Sequence, residues 1–415
     1  MASNSRETQS LMGKTHELSS IDPSLAKLLN QSLRDQLSRQ LKGDAFASSE
    51  VLIKHCCKLV ECLLAKTQTH EQLVSVFADF SQSLIELYQS LELTEQETTH
   101  SYVNATGLVM AVKDAVSTVN DIYRVKAFIR ALKNTLDDAE SLSLQPLHLV
   151  YPACGPFAPL VLPLLCYVKK HNTHQRPLKI TLIDIQPGAE KVLKRTVESL
   201  GLDLHSVDVL CMDVMDYKPS LPIDILVIEA MQHGLSKEGH LSFMRHLAPF
   251  LSTDAYLLPK EIVVEAILAV PQREFVEQWQ AQERSHSSFI NEQIEAERIN
   301  LGPIFTLNLD TLKHITTMPL GNGFDLIEAG QVTIPQNVDD MPKRILLLSA
   351  KLHVDGQEQV AQYDSGITHP LADMSVCIDF KPHASEPGDL LVKGGDKLKF
   401  YYKLCGMPSF LPTIA

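Results

Sequence analysis

Positive charge is scarce in this chain. Its 415 residues carry 37 Lys and Arg against 50 Asp and Glu, a formal net charge of −13 with His neutral. That balance speaks against nucleic acid as a partner, because phosphate contacts require a basic surface, and favours a cationic or neutral ligand. Long apolar runs are also missing. The longest, Pro156 to Val168, is broken by Pro156, Pro159 and Pro163 and falls short of the roughly 20 residues of a bilayer span, so no membrane partner is expected. The opening MASNSRETQSLMGKTHELSS has neither the basic nor the apolar region of a secretory signal. The eight cysteines, with Cys56, Cys57 and Cys62 clustered beside His55, lack both a small secreted framework and a second ligand pair at zinc spacing. Buried helix-face thiols, a reducing cytoplasm and no metal are the expectation. A composition 45% hydrophobic and 21% charged excludes wholesale disorder and fibrous architecture.

Proline is absent between Pro23 and Pro146, and only Gly43 and Gly107 interrupt that stretch. SLAKLLNQSLRDQLSRQL, SEVLIKHCCKLVECLLAK and HEQLVSVFADFSQSLIELYQSL repeat apolar residues at i, i+3, i+4 and i+7, the stripe of a helix with one buried face. Thr94 and Glu97 have capping-box spacing, which predicts a further helix running toward Asn104. Residues 1–140 therefore form a helical N-terminal region. Over 141–259 the texture changes to LHLVYP, LKITLIDI, VDVLCMD, IDILVIEA and AYLLP, short aliphatic runs alternating with helical patterns. Strands buried on both faces of a parallel sheet read in this way, so the fold class is α/β with a Rossmann-type domain. Over 260–415 short strands such as EIVVEAILAV, RILLLSAKLHV and DKLKFYYKL alternate with turn signals, predicting a β-barrel-like domain with one helical insertion around REFVEQWQAQERSHSSF.

Three strand ends carry chemistry. The turn after the first strand, VYPACGPFA, places Ala153, Cys154 and Gly155 where a nucleotide-binding α/β fold meets its ligand, and a glycine there admits close approach of the backbone. Asp184, followed by Ile185, ends the second strand 29 residues after Gly155, a position from which an acid accepts hydrogen bonds from ribose hydroxyls. Asp213 and Val214, after the third strand, fall where an adenine ring would lie.

The fourth strand runs into IEAMQHGLSKE, in which Glu229 and Glu238 stand nine residues apart, with Met231 and Leu235 two and six residues after the first. This segment resembles the double-glutamate loop of the protein arginine methyltransferases. The following LSFMRHLAPFLSTDAYLLPKEIVV, with Pro259 at the crossing into the β region, is similar to the same family. So are Lys113 and Asp114 followed by Tyr123 and Arg124, and Thr368, His369 and Pro370 where the family has a Thr-His-Trp loop. The resemblance implies a class I methyltransferase using S-adenosyl-L-methionine, with Glu229, Glu238 and His369 as catalytic residues and Ala153, Cys154, Gly155, Asp184, Ile185, Asp213 and Val214 on the cofactor. It implies a guanidino or amine nitrogen as acceptor, in a protein or a small molecule; the N-terminal helices are expected either to cap the cofactor site or to form a homodimer contact. Departures are concrete. Tyr151, Ala153, Gly155 and Phe157 stand in place of the acidic residue and glycines of DxGxGxG, Ser117 replaces an arginine, and no paired-tyrosine segment is present. A small-molecule methyltransferase and a non-catalytic binding protein on the same fold remain alternatives. Two carboxylates suit a guanidinium because its planar fork offers donors along separate edges. Without a cation between them, one carboxyl should be pushed up in pKa.

Overall fold

The computed structural model describes residues 49–140, 145–202, 206–279, 290–321, 324–379 and 386–415. The stripe expected over SLAKLLNQSLRDQLSRQL lies outside them, as does part of the helical insertion. Two amphipathic helices open the described chain, α1 (49–64) and α2 (His70–Gln89). Their apolar stripes, including Leu52, Leu59 and Leu63 on one and Leu73, Phe77 and Leu84 on the other, are buried. A capping box at Thr69 and Gln72 starts α2. Cys56 and Cys57 lie on the buried side of α1, and the His55 ring is held by Ser83 Oγ at 2.8 Å.

The Thr94–Glu97 capping box forms, but its helix, α3 (Glu95–Thr99), stops after five residues rather than running to Asn104. Thr98 and Thr99 turn their hydroxyls back onto the carbonyls of Thr94 and Glu95. Asn104 Oδ1 then accepts from the Thr106 and Gly107 amides, an Asx-type turn competing with helix. The result is a short hairpin, β1 (Tyr102–Val103) and β2 (Leu108–Val109), followed by α4 (Val112–Ala115) and the long α5 (Ile122–Glu140).

Next comes a parallel sheet of β3 (Leu147–Pro152), β4 (Leu178–Asp184), β5 (Val207–Cys211), β6 (Ile223–Val227) and β7 (Leu251–Leu258), in the order β5-β4-β3-β6-β7. Helices α6 (Leu162–His171), α7 (Pro187–Ser199) and α8 (His240–Leu247) make its crossovers. This is a Rossmann-type doubly wound domain, whose ligand crevice lies at the carboxyl ends of the strands where the order reverses. β3 is buried throughout, as a central strand covered on both faces must be.

The C-terminal part is antiparallel. β8 (Glu261–Ala269), β9 (Ile299–Leu307), β12 (Ile345–Asp355) and β13 (Glu358–Val360) form one sheet, which also carries β14 (Leu371–Ala372). β10 (Thr317–Pro319), β11 (Asp325–Thr333), β17 (Lys397–Lys403) and β18 (Ser409–Ile414) form the other, with β15 (Val376–Ile378) and β16 (Leu390–Val392) as a parallel pair. Phe305 of the first sheet stacks on Tyr402 of the second at 5.9 Å. β9 escapes the sequence pattern because Gly302 and Pro303 read as a turn. In the structure they sit where the β8–β9 register shifts, the place a strand tolerates both residues. The insertion between these strands includes α9 (Pro271–Phe275) and α10 (Glu292–Glu297). Among the described residues no helix is long and apolar enough to cross a membrane.

Candidate functional site

Ala153, Cys154, Gly155, Asp184, Ile185, Asp213, Val214, Glu229, Glu238 and His369 all line one cavity of about 670 Å³, within the usual range for small-molecule sites. It lies at the carboxyl ends of the parallel strands. Its wall is strongly acidic: Asp121, Asp184, Asp213, Glu229, Glu238 and Asp364 face Arg124, the one Lys or Arg among the described lining residues.

At the first strand end the backbone does what side chains in a glycine-rich turn would obstruct. Ala153, Gly155 and Ala158 all take positive φ, of 49°, 67° and 40°, so two alanines carry left-handed geometry at a cost of about 1–2 kcal/mol each. Asp184 fixes the turn, its Oδ2 accepting the Gly155 amide at 3.0 Å and its Oδ1 the Gln186 amide at 2.9 Å. Burial outweighs these bonds and lifts Asp184 to about 6. Each oxygen keeps a further lone pair. Above Gly155 an added Cβ would meet nothing within 4 Å, so open space lies directly over the backbone. Asp213 caps the short helix Val214–Asp216 through the Met215 amide at 2.9 Å.

The double-glutamate loop curls through left-handed Gly234, Leu235 and Lys237. It is tied to the C-terminal sheets by Tyr402 Oη on the Leu235 carbonyl at 2.8 Å and by the Lys237 amide on the Pro408 carbonyl at 2.7 Å. At its neck the His240 amide reaches the Ala230 carbonyl at 3.0 Å, which brings the second glutamate back beside the first. Burial and then Glu229 push Glu238 up to about 7, against a hydrogen bond from Gln232.

Glu229 is already paired. Arg124 Nη1 donates to its Oε2 at 2.5 Å, with side chains only 7% and 9% exposed. Arg124 Nη2 donates to the Thr118 carbonyl at 3.1 Å, Asp121 lies 3.4 Å from Nε, and Met231 N–H meets Glu229 Oε1 at 3.4 Å. Burial works against both charges. Glu229 is nevertheless raised only in part, since Arg124 pulls it down, while Glu229 and Asp121 hold the guanidinium protonated. In the sequence Arg124 stands out only as a marker of resemblance. The missed signal is its position in the first turn of α5, where the helix dipole disfavours a cation, so that a carboxylate partner is called for.

His369 sits with His233 at 6.2 Å, Tyr363 at 5.0 Å and Trp279 at 6.0 Å between ring centroids. Pro370 follows it in sequence, yet the chain's single Trp reaches it from the helical insertion. Burial and then His233 lower its pKa. Beneath this loop Arg298 makes a two-point bond to the fully buried Glu274, which also accepts from Tyr363 Oη. Ser365 Oγ donates to Asp121, joining the C-terminal loop to the start of α5.

The β1–β2 hairpin covers the cavity's other side. Leu108 N–H donates to the Lys237 carbonyl at 2.7 Å, and Asn104 Nδ2 approaches Asp213 Oδ2 at 3.4 Å. Gly107 packs so closely that an added Cβ would lie 2.7 Å from the Lys237 oxygen and 2.8 Å from Glu238 Cα.

No family model matches the sequence, and no curated protein sequence matches it. Among solved structures, the chain is similar to the PRMT1 enzyme–prozyme heterotetramer of Trypanosoma brucei with AdoHcy, at 14% identity and a TM-score of 0.38, covering 72% of this chain and 96% of that one. It is also similar to PRMT6 with SAH, at 11% identity and a TM-score of 0.39, covering 71% of this chain and 95% of that one.

Proposed function

We propose that this chain is an S-adenosyl-L-methionine-dependent methyltransferase acting on a guanidino or amine nitrogen of a protein, arginine included, or of a small molecule. The observation that carries the reading is the convergence of three Rossmann strand ends and a pair of acidic side chains, Glu229 and Glu238, on one acidic cavity. The residues fit the cofactor. Space over Gly155 accommodates a ligand against the backbone, the spare lone pairs of Asp184 suit two hydroxyl donors, and the carboxylate-rich wall suits a sulfonium and an ammonium. When bound, the cofactor supplies an electrophilic methyl group, which a nitrogen lone pair takes while the carbon–sulfur bonding pair stays on sulfur.

The chain's own contribution is positioning and charge. Asp184 and Asp213 orient the nucleoside end, and Ala153, Cys154 and Gly155 line the opposite end through their backbone, with Ile185 and Val214 packing alongside. Glu238 receives the acceptor N–H and can take its proton, Glu229 is held beside it by Arg124, and His369 closes the wall. Calorimetric titration of S-adenosylhomocysteine tests the cofactor half of this reading, and methyl transfer from labelled S-adenosylmethionine to amine and guanidine panels tests the other. Absence of binding would leave a non-catalytic binding protein as the better account.

A further inference from the structure

A guanidinium needs carboxylate oxygens along two of its edges, and the pair Glu229 and Glu238 would supply them only if neither already held a cation. Glu229 holds one. Its Oε2 carries Arg124 Nη1 at 2.5 Å and its Oε1 is turned back toward the Met231 amide at 3.4 Å. The arginine is itself held from other sides by the Thr118 carbonyl and Asp121, and Asp121 is anchored by Ser365. A second guanidinium on Glu229 would lie against Arg124 with both charges desolvated. Glu238 is the carboxylate that remains, flanked by Gln232, in a wall whose one described Lys or Arg, Arg124, is already paired with Glu229.

We propose that Arg124 permanently fills the guanidinium seat on Glu229, so that the acceptor is an alkylammonium received by Glu238 alone. This rests on the methyltransferase reading. An ammonium is compact, has no fork to satisfy and fits a single carboxylate. It must release one proton before its lone pair is free, and Glu238, the carboxylate it meets, is the group placed to accept it.

The test is thermal unfolding of the full chain at matched ionic strength with methylammonium or methylguanidinium, each with and without S-adenosylhomocysteine. In the wild type, methylammonium should raise the midpoint saturably, at a concentration about tenfold lower than any response to methylguanidinium, the factor set by roughly one avoided like-charge contact. In Arg124→Ala the midpoint should fall and methylguanidinium should restore it, whereas the double variant Arg124→Ala with Glu229→Gln should not respond. Glu238→Gln should lose the methylammonium response. The wild-type arm stands even where Arg124→Ala does not fold. Equal responses of the wild type to both cations would overturn the proposal, and so would a methylguanidinium response gained only with S-adenosylhomocysteine, since Arg124 would then have left its seat. Calorimetry with S-adenosylhomocysteine separates the two levels: no binding there sinks the methyltransferase reading and leaves the cation preference to be judged on its own result.

Discussion

Replacing Glu238 by Gln should stabilise the ligand-free protein at pH 8 and change it little at pH 5. Burial and the neighbouring Glu229 raise this carboxyl from 4.5 to about 7. The unfolded chain therefore releases the proton near pH 4.5, while the folded chain keeps it to about pH 7. Between those values the folded state binds more protons, so its stability is full at low pH and declines as pH rises through the folded pKa. A difference of about 2.5 pH units corresponds to about 3 kcal/mol, and water entering the cavity brings the measurable effect to about 1–3 kcal/mol. Glutamine keeps the shape of the protonated acid, so the variant should lack this penalty. Urea unfolding at pH 5, 6, 7 and 8 measures it. Asp184, raised to about 6, contributes the same slope to both proteins, and the difference between them isolates Glu238. A variant that is as unstable as the wild type at pH 8, or that loses stability equally at every pH, would refute the placement of this carboxyl in a desolvated, like-charged corner.

Asp184→Ala removes the acceptor for the Gly155 and Gln186 amides as well as the proposed ribose contact, so calorimetry should show S-adenosylhomocysteine binding weakened by about 1–3 kcal/mol; an unchanged dissociation constant contradicts the assignment. Gly107→Ala should push the β1–β2 hairpin off the glutamate loop at a cost of about 1–3 kcal/mol, and hydrogen exchange at the Leu108 amide should quicken; unaltered exchange would argue against the close contact. Trp279 is the chain's only Trp, so its fluorescence reports on His369: emission should fall as pH drops through a value below the ordinary histidine range, and His369→Ala should flatten the curve.

Most of the architecture is legible in the sequence because its signals are local. Four of the five parallel strands match the aliphatic runs to within three residues at either end, since strands largely covered by helices keep short apolar runs with few polar interruptions. The fifth, AYLLP, is a strand that begins earlier, at Leu251, over residues whose polar alternation hides it. The α3 helix is overrun by local side-chain bonds that periodicity does not register. At the site, the ten residues singled out from strand ends and motif spacing share one cavity, because a doubly wound sheet brings its carboxyl ends together whatever the sequence between them. What spacing does not show is partnership. Nothing in the neighbourhood of Arg124 in sequence names Glu229 as its partner 105 residues away, and nothing beside His369 announces Trp279.

Those unannounced contacts decide the charge at this corner more than the motif does. The spacing of Glu229 and Glu238 specifies two carboxylates at one strand end, but net charge at that corner depends on α5, which enters from outside the sheet. With Arg124 in place, Glu229 behaves as half of a buried ion pair, and removing either half would strand the other at a cost of about 3–5 kcal/mol. Asp121 extends that dependence: it lies 3.4 Å from Arg124 Nε and accepts from Ser365 of the loop that carries His369. The corner is thus locked by a helix start, a strand end and a C-terminal loop, joined by the Arg124 ion pairs and the Ser365 hydrogen bond. A guanidine-binding clamp assembled from the same two glutamates would need that lock undone, whereas a single-point cation on Glu238 uses it as it stands.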